Sequence, residues 1–313
     1  MWYGHTPVML NEAVDSLNCG KGMVIVDCTI GGAGHSRLIA GRILPGGLLI
    51  GIDRDEDALM TARQKLQDWK PKDVCLVHDN FSNLPFILQE AGVEAVDGVL
   101  LDLGVSLHQL QGSGRGFSFN RDEPLDMRMD VRQPLTADAI VNHDSEARLA
   151  GIFREFGEER FATKIARELV RVRRTEAISS STQLARIVEK AYPAGSRRSL
   201  KIHPATRVFM ALRIAVNGEL DNLKKFLAGV ADCLKTNARL CVITFHSLED
   251  RIVKRQMRLW ETACVCPPDF PVCCCNKKKE FRVITRRAMA PGREELAANP
   301  MARSARLRVA EKI

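Results

Sequence analysis

The chain has 313 residues, of which 45% are hydrophobic, and a formal net charge of +8 at pH 7. It is long enough for one large domain or for a domain that carries a second one. It contains no uninterrupted run of about eighteen apolar residues, which excludes an ordinary transmembrane helix. Residues 1–6 show no basic stretch followed by an apolar one, so no secretory signal is predicted and we expect a cytosolic protein.

The charge is distributed unevenly along the chain. Residues 1–105 hold 8 basic and 14 acidic side chains, whereas residues 106–313 hold 38 basic and 24 acidic ones. This asymmetry suggests that a polyanion contacts the later two-thirds of the chain.

The first predicted elements are a strand, a glycine-rich loop and a helix within Met23–Ser36. The β-branched run of the strand ends at Asp27, and three glycines follow within seven residues. Glycines allow positive φ angles and let the backbone approach a bound group closely. The pattern predicts the first βα unit of a nucleotide-binding sheet.

A second buried strand, Leu48–Ile52, closes on Asp53, where such folds place a carboxylate that binds ribose hydroxyls. A dinucleotide-binding loop would have a third glycine where Arg37 stands. S-adenosylmethionine has no phosphate to cradle, so the acidic Asp27 and the missing glycine favour this cofactor. A nicotinamide oxidoreductase is the alternative.

Five more strands are predicted: one that begins at Val74 and passes into a loop by Phe81, then Val96–Asp102, Arg239–Ser247, Phe281–Thr285 and Ala305–Ala310. Ligands of doubly wound sheets bind outside the carboxyl ends of the strands, so polar residues there should converge. The candidate catalytic residues at this edge are Asp102, Ser106 and His246. Phe81 could lie against an adenine face, or it could fill the core.

Residues 112–203 are predicted to form an inserted helical domain between the two parts of the sheet domain, 1–111 and 204–313. Five cations recur there at helical spacing, namely Arg160, Lys164, Arg167, Arg171 and Arg174. A basic row of this kind favours contact with phosphate over a merely solvated face.

Cys264, Cys266, Cys273 and Cys275 could surround one tetrahedral zinc ion. The usual structural spacing leaves at least two residues between paired cysteines, so the tight C-x-C pairs argue against the metal. Free thiols are the preferred interpretation, and zinc is the alternative. A zinc-dependent RNA-binding module would use these cysteines but leave the acidic strand ends unexplained.

A series of short motifs runs through nearly the whole chain, in this order: His5-Thr6-Pro7-Val8, Gly34-His35-Ser36, Asp53-Arg54-Asp55, Asp102-Leu103-Gly104-Val105-Ser106, Arg115-Gly116-Phe117-Ser118-Phe119, Pro124-Leu125-Asp126-Met127-Arg128-Met129, Gly157-Glu158-Glu159-Arg160, His203-Pro204-Ala205-Thr206-Arg207 and Phe245-His246-Ser247-Leu248-Glu249-Asp250-Arg251. Together they resemble the MraW (RsmH) family. The members of this family use S-adenosylmethionine to methylate N4 of a cytidine in small-subunit (16S) ribosomal RNA.

The resemblance implies a Rossmann-like class I methyltransferase sheet of the α/β class with an inserted helical domain. It implies cofactor positions at Ala33, Gly34, His35, Asp53, Phe81, Asp102 and Gln109. With the basic row, it implies RNA contacts at Arg115, Arg128, Lys164, Arg167, Arg171 and Arg207. The expected partner is small-subunit ribosomal RNA, with no membrane; the oligomeric state, a homodimer included, stays open.

Two expectations concern single positions of the predicted cofactor site. The family usually has glycine where Ala33 stands, so the backbone there should not require a positive φ, or the loop should shift slightly. Asp53→Ala should abolish cofactor binding and leave the fold intact, because an exposed carboxylate at a strand end contributes little to the core.

Overall fold

The computed structural model describes residues 7–70, 72–193, 202–267 and 272–313. Contacts between Cα atoms divide the chain into two compact units. The first comprises residues 1–104 and 220–313, and the second comprises residues 105–219.

The first unit is built on a seven-stranded sheet. Its strands are β1 (Val24–Asp27), β2 (Leu48–Asp53), β3 (Val74–His78), β4 (Val96–Asp102), β5 (Leu234–Thr244), β6 (Phe281–Val283) and β7 (Arg306–Lys312). Their spatial order is β3-β2-β1-β4-β5-β7-β6. The pairs among β1 to β5 are parallel, and β7 runs antiparallel to both of its neighbours.

Both faces of the sheet are covered, which explains why its central strands are continuously apolar. Neighbouring residues of one strand belong to different core clusters: Ile25 and Leu100 lie in one, and Val26 and Leu101 in the other. The helices of this unit are Leu10–Leu17, Gly34–Ile43, Glu56–Lys65, Leu84–Glu90, Glu219–Gly229, Ser247–Glu261 and Arg293–Ala298, with 3-10 turns at Phe81–Asn83, Val230–Cys233 and Pro300–Ser304. The predicted α/β class, with a Rossmann-like sheet covered on both faces, is confirmed.

The second unit is helical and has a core of its own. Its helices are Leu107–Gln111, Ala137–His143, Glu146–Glu155, Ala162–Arg173, Ser181–Ala191 and Ala205–Asn217. Its fully buried side chains include Phe153, Ile165 and Leu169, which lie in one cluster with Leu212 of the last helix.

The predicted insert, 112–203, lies inside this second unit, which begins earlier and ends later. Helix Ala205–Asn217 was predicted in the sheet domain. It is grouped with the insert because Val208, Phe209 and Leu212 on its buried face pack into the helical core. None of the helices that the structure describes combines the length and the apolar character needed to span a bilayer.

Candidate active site

Asp27 ends β1 and fastens the glycine-rich loop to the helix that follows it. The hydroxyl of Ser36 donates a 2.7 Å hydrogen bond to Oδ2 of Asp27, and the main-chain N–H of Thr29 donates one of 3.2 Å to Oδ1. Asp27 is 1% exposed, and burial raises its pKa to about 6. The carboxylate of Asp27 at the end of β1 therefore holds the loop in place.

Asp53, at the end of β2, holds the same loop from the other side. Its Oδ2 accepts a 2.9 Å hydrogen bond from the N–H of Gly31, and its Oδ1 accepts one of 2.9 Å from the N–H of Asp55. Gly31 has φ +48°, which glycine adopts without strain. Burial raises the pKa of Asp53 to about 6. In Asp53→Ala two main-chain N–H groups would lose their acceptor, so we expect a cost in stability; that the fold stays intact remains a prediction.

The backbone at Ala33 corrects one expectation. Ala33 has φ 56° and ψ 26°, in the left-handed region, immediately before helix Gly34–Ile43. The alanine therefore occupies a conformation that glycine adopts more readily, and it does so at a cost of about 1–2 kcal/mol. At the neighbouring Gly34, an added Cβ would lie 2.8 Å from the ring of Pro7. Gly34 is required for that close packing. His5 and Thr6, which precede Pro7 in the first motif, lie outside the described residues.

His35, in the first turn of helix Gly34–Ile43, lies close to Asp102 at the end of β4. Nε2 of His35 donates to the carbonyl oxygen of Val8 at 3.1 Å, and Nδ1 lies 3.9 Å from Oδ2 of Asp102. Both residues are buried, with exposures of 6% and 9%. The structure thus brings two of the predicted cofactor positions together at the carboxyl end of β4.

The end of β4 is held by two hydrogen bonds and by close packing at Gly104. The N–H of Asp102 donates to the Thr29 hydroxyl at 2.7 Å, and Oδ1 of Asp102 accepts from the N–H of Gly104 at 3.2 Å. A Cβ on Gly104 would lie 3.0 Å from the Phe245 ring. Burial, with the negative charges of Asp27 and Glu249 adding to it, raises the pKa of Asp102 to about 7.

Phe81 is half-buried just past β3 and lies partly in the core. Its ring meets that of Phe226 edge to face, with centroids 5.5 Å apart. It follows Asn80, whose side-chain oxygen accepts a 2.9 Å hydrogen bond from the N–H of Ser82. The ring is fixed by these neighbours, and its contact with an adenine stays a prediction.

His246 begins helix Ser247–Glu261 and forms a reciprocal cap with Glu249. Nδ1 of His246 accepts from the N–H of Glu249 at 3.4 Å, while Oε2 of Glu249 accepts from the N–H of His246 at 3.3 Å and from that of Phe245 at 2.8 Å. Nε2 of His246 lies 3.0 Å from the other oxygen of Glu249. Asp250 accepts two hydrogen bonds, of 2.7 and 2.9 Å, from Arg308 on β7. This motif therefore has a structural role, and proton removal by His246 stays a prediction.

In the second unit, Ser106 and Gln109 form another reciprocal cap at helix Leu107–Gln111. Oγ of Ser106 accepts from the N–H of Gln109 at 3.1 Å, and Oε1 of Gln109 accepts from the N–H of Ser106 at 3.1 Å. Both side chains are buried. Their predicted roles in catalysis and cofactor binding stay predictions.

Arg115 and Arg128 were predicted to contact RNA, but they build a loop instead. Arg115 is 9% exposed and donates to the carbonyl oxygens of Arg128 and Met129 at 3.0 and 3.1 Å. Arg128 donates twice to Asp126, at 2.8 and 2.7 Å, and also to two main-chain oxygens. Both guanidinium groups are committed within the protein, so we do not retain them as phosphate contacts.

The basic row on helix Ala162–Arg173 is exposed as predicted, but acids accompany it. Arg171 pairs with Glu168 at 2.6 Å, and Arg167 lies 3.5 Å from Glu146 of the neighbouring helix. Arg171 and Arg167 remain 68% and 72% exposed in their side chains. Lys164 and Arg207 are also exposed, and Arg207 donates to the carbonyl oxygen of Glu158 at 3.2 Å. The cations of this row are therefore exposed to solvent, and neighbouring carboxylates balance only part of their positive charge.

The four cysteines predicted as candidate metal ligands lie together. The sulfur atoms of Cys264, Cys266, Cys273 and Cys275 all lie within 4.8 Å of one another.

With this geometry in place, comparison with known proteins decides the family. The family model described as the MraW methylase family matches residues 2–313. The chain belongs to the MraW methylase family. It is 58% identical to the ribosomal RNA small subunit methyltransferase H of Desulfosudis oleivorans and 51% identical to that of Desulforapulum autotrophicum; each alignment covers 100% of both proteins. A solved structure described as a putative rRNA-methylase from Clostridium thermocellum aligns with 98% of this chain and 99% of its own, with a TM-score of 0.48 and 13% identity.

Membership of this methylase family makes the chain a methyltransferase that uses S-adenosylmethionine, so the nicotinamide alternative is wrong. Sequence reasoning missed three residues that build the site: Thr29, Ser36 and Glu249. Ser36 and Glu249 lie within motifs that were recognised, at the first turn of a helix, where a polar side chain can satisfy free N–H groups. Nothing in the local sequence indicates that the Thr29 hydroxyl would hold β4.

Proposed function

We propose that this protein transfers a methyl group from S-adenosylmethionine to N4 of a cytidine in small-subunit (16S) ribosomal RNA. The observation that carries the proposal is the acidic carboxyl edge of the sheet, where β1, β2 and β4 end in Asp27, Asp53 and Asp102. Burial raises the pKa of all three carboxyl groups. The relatives that match over their full length are named as ribosomal RNA small subunit methyltransferases.

The residues at this edge fit the cofactor. Each carboxylate oxygen of Asp53 accepts one N–H and has a further lone pair, so both can still accept a ribose hydroxyl. A buried carboxylate with a raised pKa is stabilised by a positively charged ligand, which applies to Asp102. The loop from Gly31 to Gly34 offers main chain that a ligand can approach closely.

S-adenosylmethionine supplies a methyl group carried on a positively charged sulfur. The acceptor amine of cytosine is a poor nucleophile because its lone pair is delocalised into the ring, so the protein must hold it in line with the methyl group and accept hydrogen bonds from it. Asp102 is a candidate proton acceptor, because burial raises the pKa of its carboxyl group. Nδ1 of His246 already accepts a helix N–H, so we rank His246 second.

Exposed cations of the second unit are proposed to contact the RNA backbone. We retain Lys164, Arg167, Arg171 and Arg207. The acids beside Arg167 and Arg171 are paired at the surface, where an ion pair contributes at most about 1 kcal/mol. A phosphate can replace such a partner at little cost, because it also releases counterions from the nucleic acid.

The proposal is tested by incubating the purified protein with isotopically labelled S-adenosylmethionine and small ribosomal subunits from cells that lack this enzyme. Label should enter the subunit RNA, and subunits from cells that contain the enzyme should accept much less of it. Label in protein alone, or equal labelling of both preparations, would contradict the proposal. We place the protein in the cytoplasm, where its substrate is found. Whether it forms a homodimer stays a prediction, which light scattering of the purified protein can test.

A further inference from the structure

The segment between helix Ser247–Glu261 and β6 lacks the features that usually order a loop. Its described residues, 262–267 and 272–280, contain no helix or strand. Among these described residues, the larger apolar side chains are Val265 and Val272, which are 53% and 74% exposed. The described part of the segment buries so little apolar surface that it needs another cross-link to hold one conformation.

Four sulfur atoms converge in this segment. Sγ of Cys264 lies 3.4 Å from that of Cys273 and 3.7 Å from that of Cys275. Sγ of Cys273 lies 4.0 Å from that of Cys266 and 3.6 Å from that of Cys275. A tetrahedral zinc ion with bonds of about 2.3 Å to four thiolates would place the sulfur atoms ~3.8 Å apart, so the observed spacing matches a zinc–thiolate centre.

Main-chain N–H groups point at these sulfur atoms, as they do around metal-bound thiolates. The N–H of Val265 donates to Cys275, that of Cys266 to Cys264, and that of Cys274 to Cys266, each at 3.4 Å. The Cys266-to-Cys264 bond turns the chain back on itself within one C-x-C pair. This turn answers the objection from tight spacing, because it brings both sulfur atoms of that pair into the cluster.

The charge of the surroundings and the state of the thiols agree with a metal. Four thiolates and one Zn²⁺ carry a net charge of −2, and three lysines, Lys277 to Lys279, follow the last ligand after one intervening residue. None of the cysteines forms a disulfide, and the observed separations are far from the ~2.05 Å of a sulfur–sulfur bond.

We propose that Cys264, Cys266, Cys273 and Cys275 bind one zinc ion that closes this segment against the sheet. Four protein ligands leave no open position, so the site is structural and takes no part in methyl transfer. Its attachment to the sheet is well defined: the N–H of Glu280 donates to the Trp260 carbonyl at 2.9 Å, and the rings of Trp260 and Phe281 stack with centroids 4.5 Å apart. The ion therefore cross-links the segment that joins this helix to the edge strand β6.

The first test is the metal content of protein purified without chelator. The wild type should contain about one zinc per chain, and the double variant Cys266→Ser with Cys273→Ser should retain less than about one-tenth of it. Cys274→Ser is the matched control and should keep the full amount: the Cys274 sulfur lies 3.9 Å from that of Cys266, but it is not one of the four that all lie within 4.8 Å of one another. Metal-free wild type, or loss of zinc from the control, would overturn the assignment.

The second test does not depend on the folding of a variant. Zinc is removed from the wild type by a chelator and replaced by Co²⁺, whose visible spectrum and thiolate charge-transfer bands report tetrahedral sulfur coordination. Trp260 fluorescence should change on removal and return when zinc is added. Octahedral cobalt spectra, or fluorescence that is indifferent to both steps, would show that the thiols do not form this site.

Discussion

The N–H of Gly31 donates a 2.9 Å hydrogen bond to Oδ2 of Asp53. Through this bond, the loop after β1 is tied to the acidic end of β2, so the carboxylate proposed to bind the cofactor also shapes the loop that surrounds it. Binding and local structure are therefore coupled at Asp53, which decides how its variants should be compared.

Asp53→Ala and Asp53→Asn should differ in stability more than in cofactor binding. Alanine removes both acceptors and should lower the free energy of unfolding by about 1–3 kcal/mol, whereas asparagine keeps one oxygen acceptor and should lose less. Both should reduce affinity for S-adenosylmethionine at least about tenfold, because a hydrogen bond to a charged group contributes about 1.5–3 kcal/mol. Thermal unfolding and calorimetry measure the two effects. Wild-type affinity in either variant would remove Asp53 from the cofactor site.

Ala33→Gly should stabilise the protein, because Ala33 has φ 56° and glycine adopts that angle freely. The expected gain is about 1 kcal/mol in the free energy of unfolding, reduced by the extra entropy of the unfolded chain. Ala40→Gly, in the interior of the helix that follows, is the control and should destabilise by about 1 kcal/mol or more. If both changes destabilise alike, Ala33 is not strained.

Asp102→Asn should change how stability depends on pH in the protein without cofactor. The pKa of Asp102 is raised from 3.8 to about 7, so its ionisation costs stability as the pH rises between these values, and the cost is constant above them. The variant avoids this cost. At pH 8 its free energy of unfolding should exceed that of the wild type by on the order of 2 kcal/mol, which raises the unfolding temperature. The difference should shrink toward pH 4.

The same variant separates two roles of Asp102. If its carboxylate receives the proton, kcat should fall by about 10²-fold or more while KM for the cofactor changes little. If it holds the cofactor's ammonium group, KM should rise instead. An unchanged kcat and KM, with no change in the pH profile of stability, would exclude Asp102 from both roles.

Much of the fold could be predicted, because a buried parallel strand has a continuous run of apolar residues in its sequence. The run Val96–Asp102 matches β4 residue for residue. The end of the insert could not be predicted, since helix Ala205–Asn217 has an apolar face that either core could accept. The position of β7 between β5 and β6 depends on long-range pairing that no local pattern encodes.

The candidate site was predicted less completely, because residue type does not reveal which partner a polar group finds. Asp27 carries an acidic charge at a strand end, yet its oxygens are occupied by Ser36 and Thr29. Arg115 stands in a basic, aromatic loop, yet it is buried against main-chain carbonyls. Burial and pairing of this kind follow from the tertiary fold.

Arg167→Glu with Arg171→Glu should weaken binding to small-subunit RNA and reduce the slope of log affinity against log salt by about two, one for each lost phosphate contact. Lys224→Glu with Arg255→Glu, which reverses two exposed cations on other helices, is the charge-matched control. Filter binding over a salt series measures both. Equal slopes in the two double variants would show that the row on helix Ala162–Arg173 is only a solvated face.

The central claim is the position of the transferred methyl group. After the reaction with S-adenosylmethionine carrying a heavy-isotope methyl group, the small-subunit RNA is digested to nucleosides and analysed by mass spectrometry beside synthetic standards. The wild type should yield labelled N4-methylcytidine, and Asp53→Ala should yield much less of it at a cofactor concentration equal to the wild-type Kd. Label on another atom of cytidine, on the ribose or on another base would contradict the proposed methylation of N4.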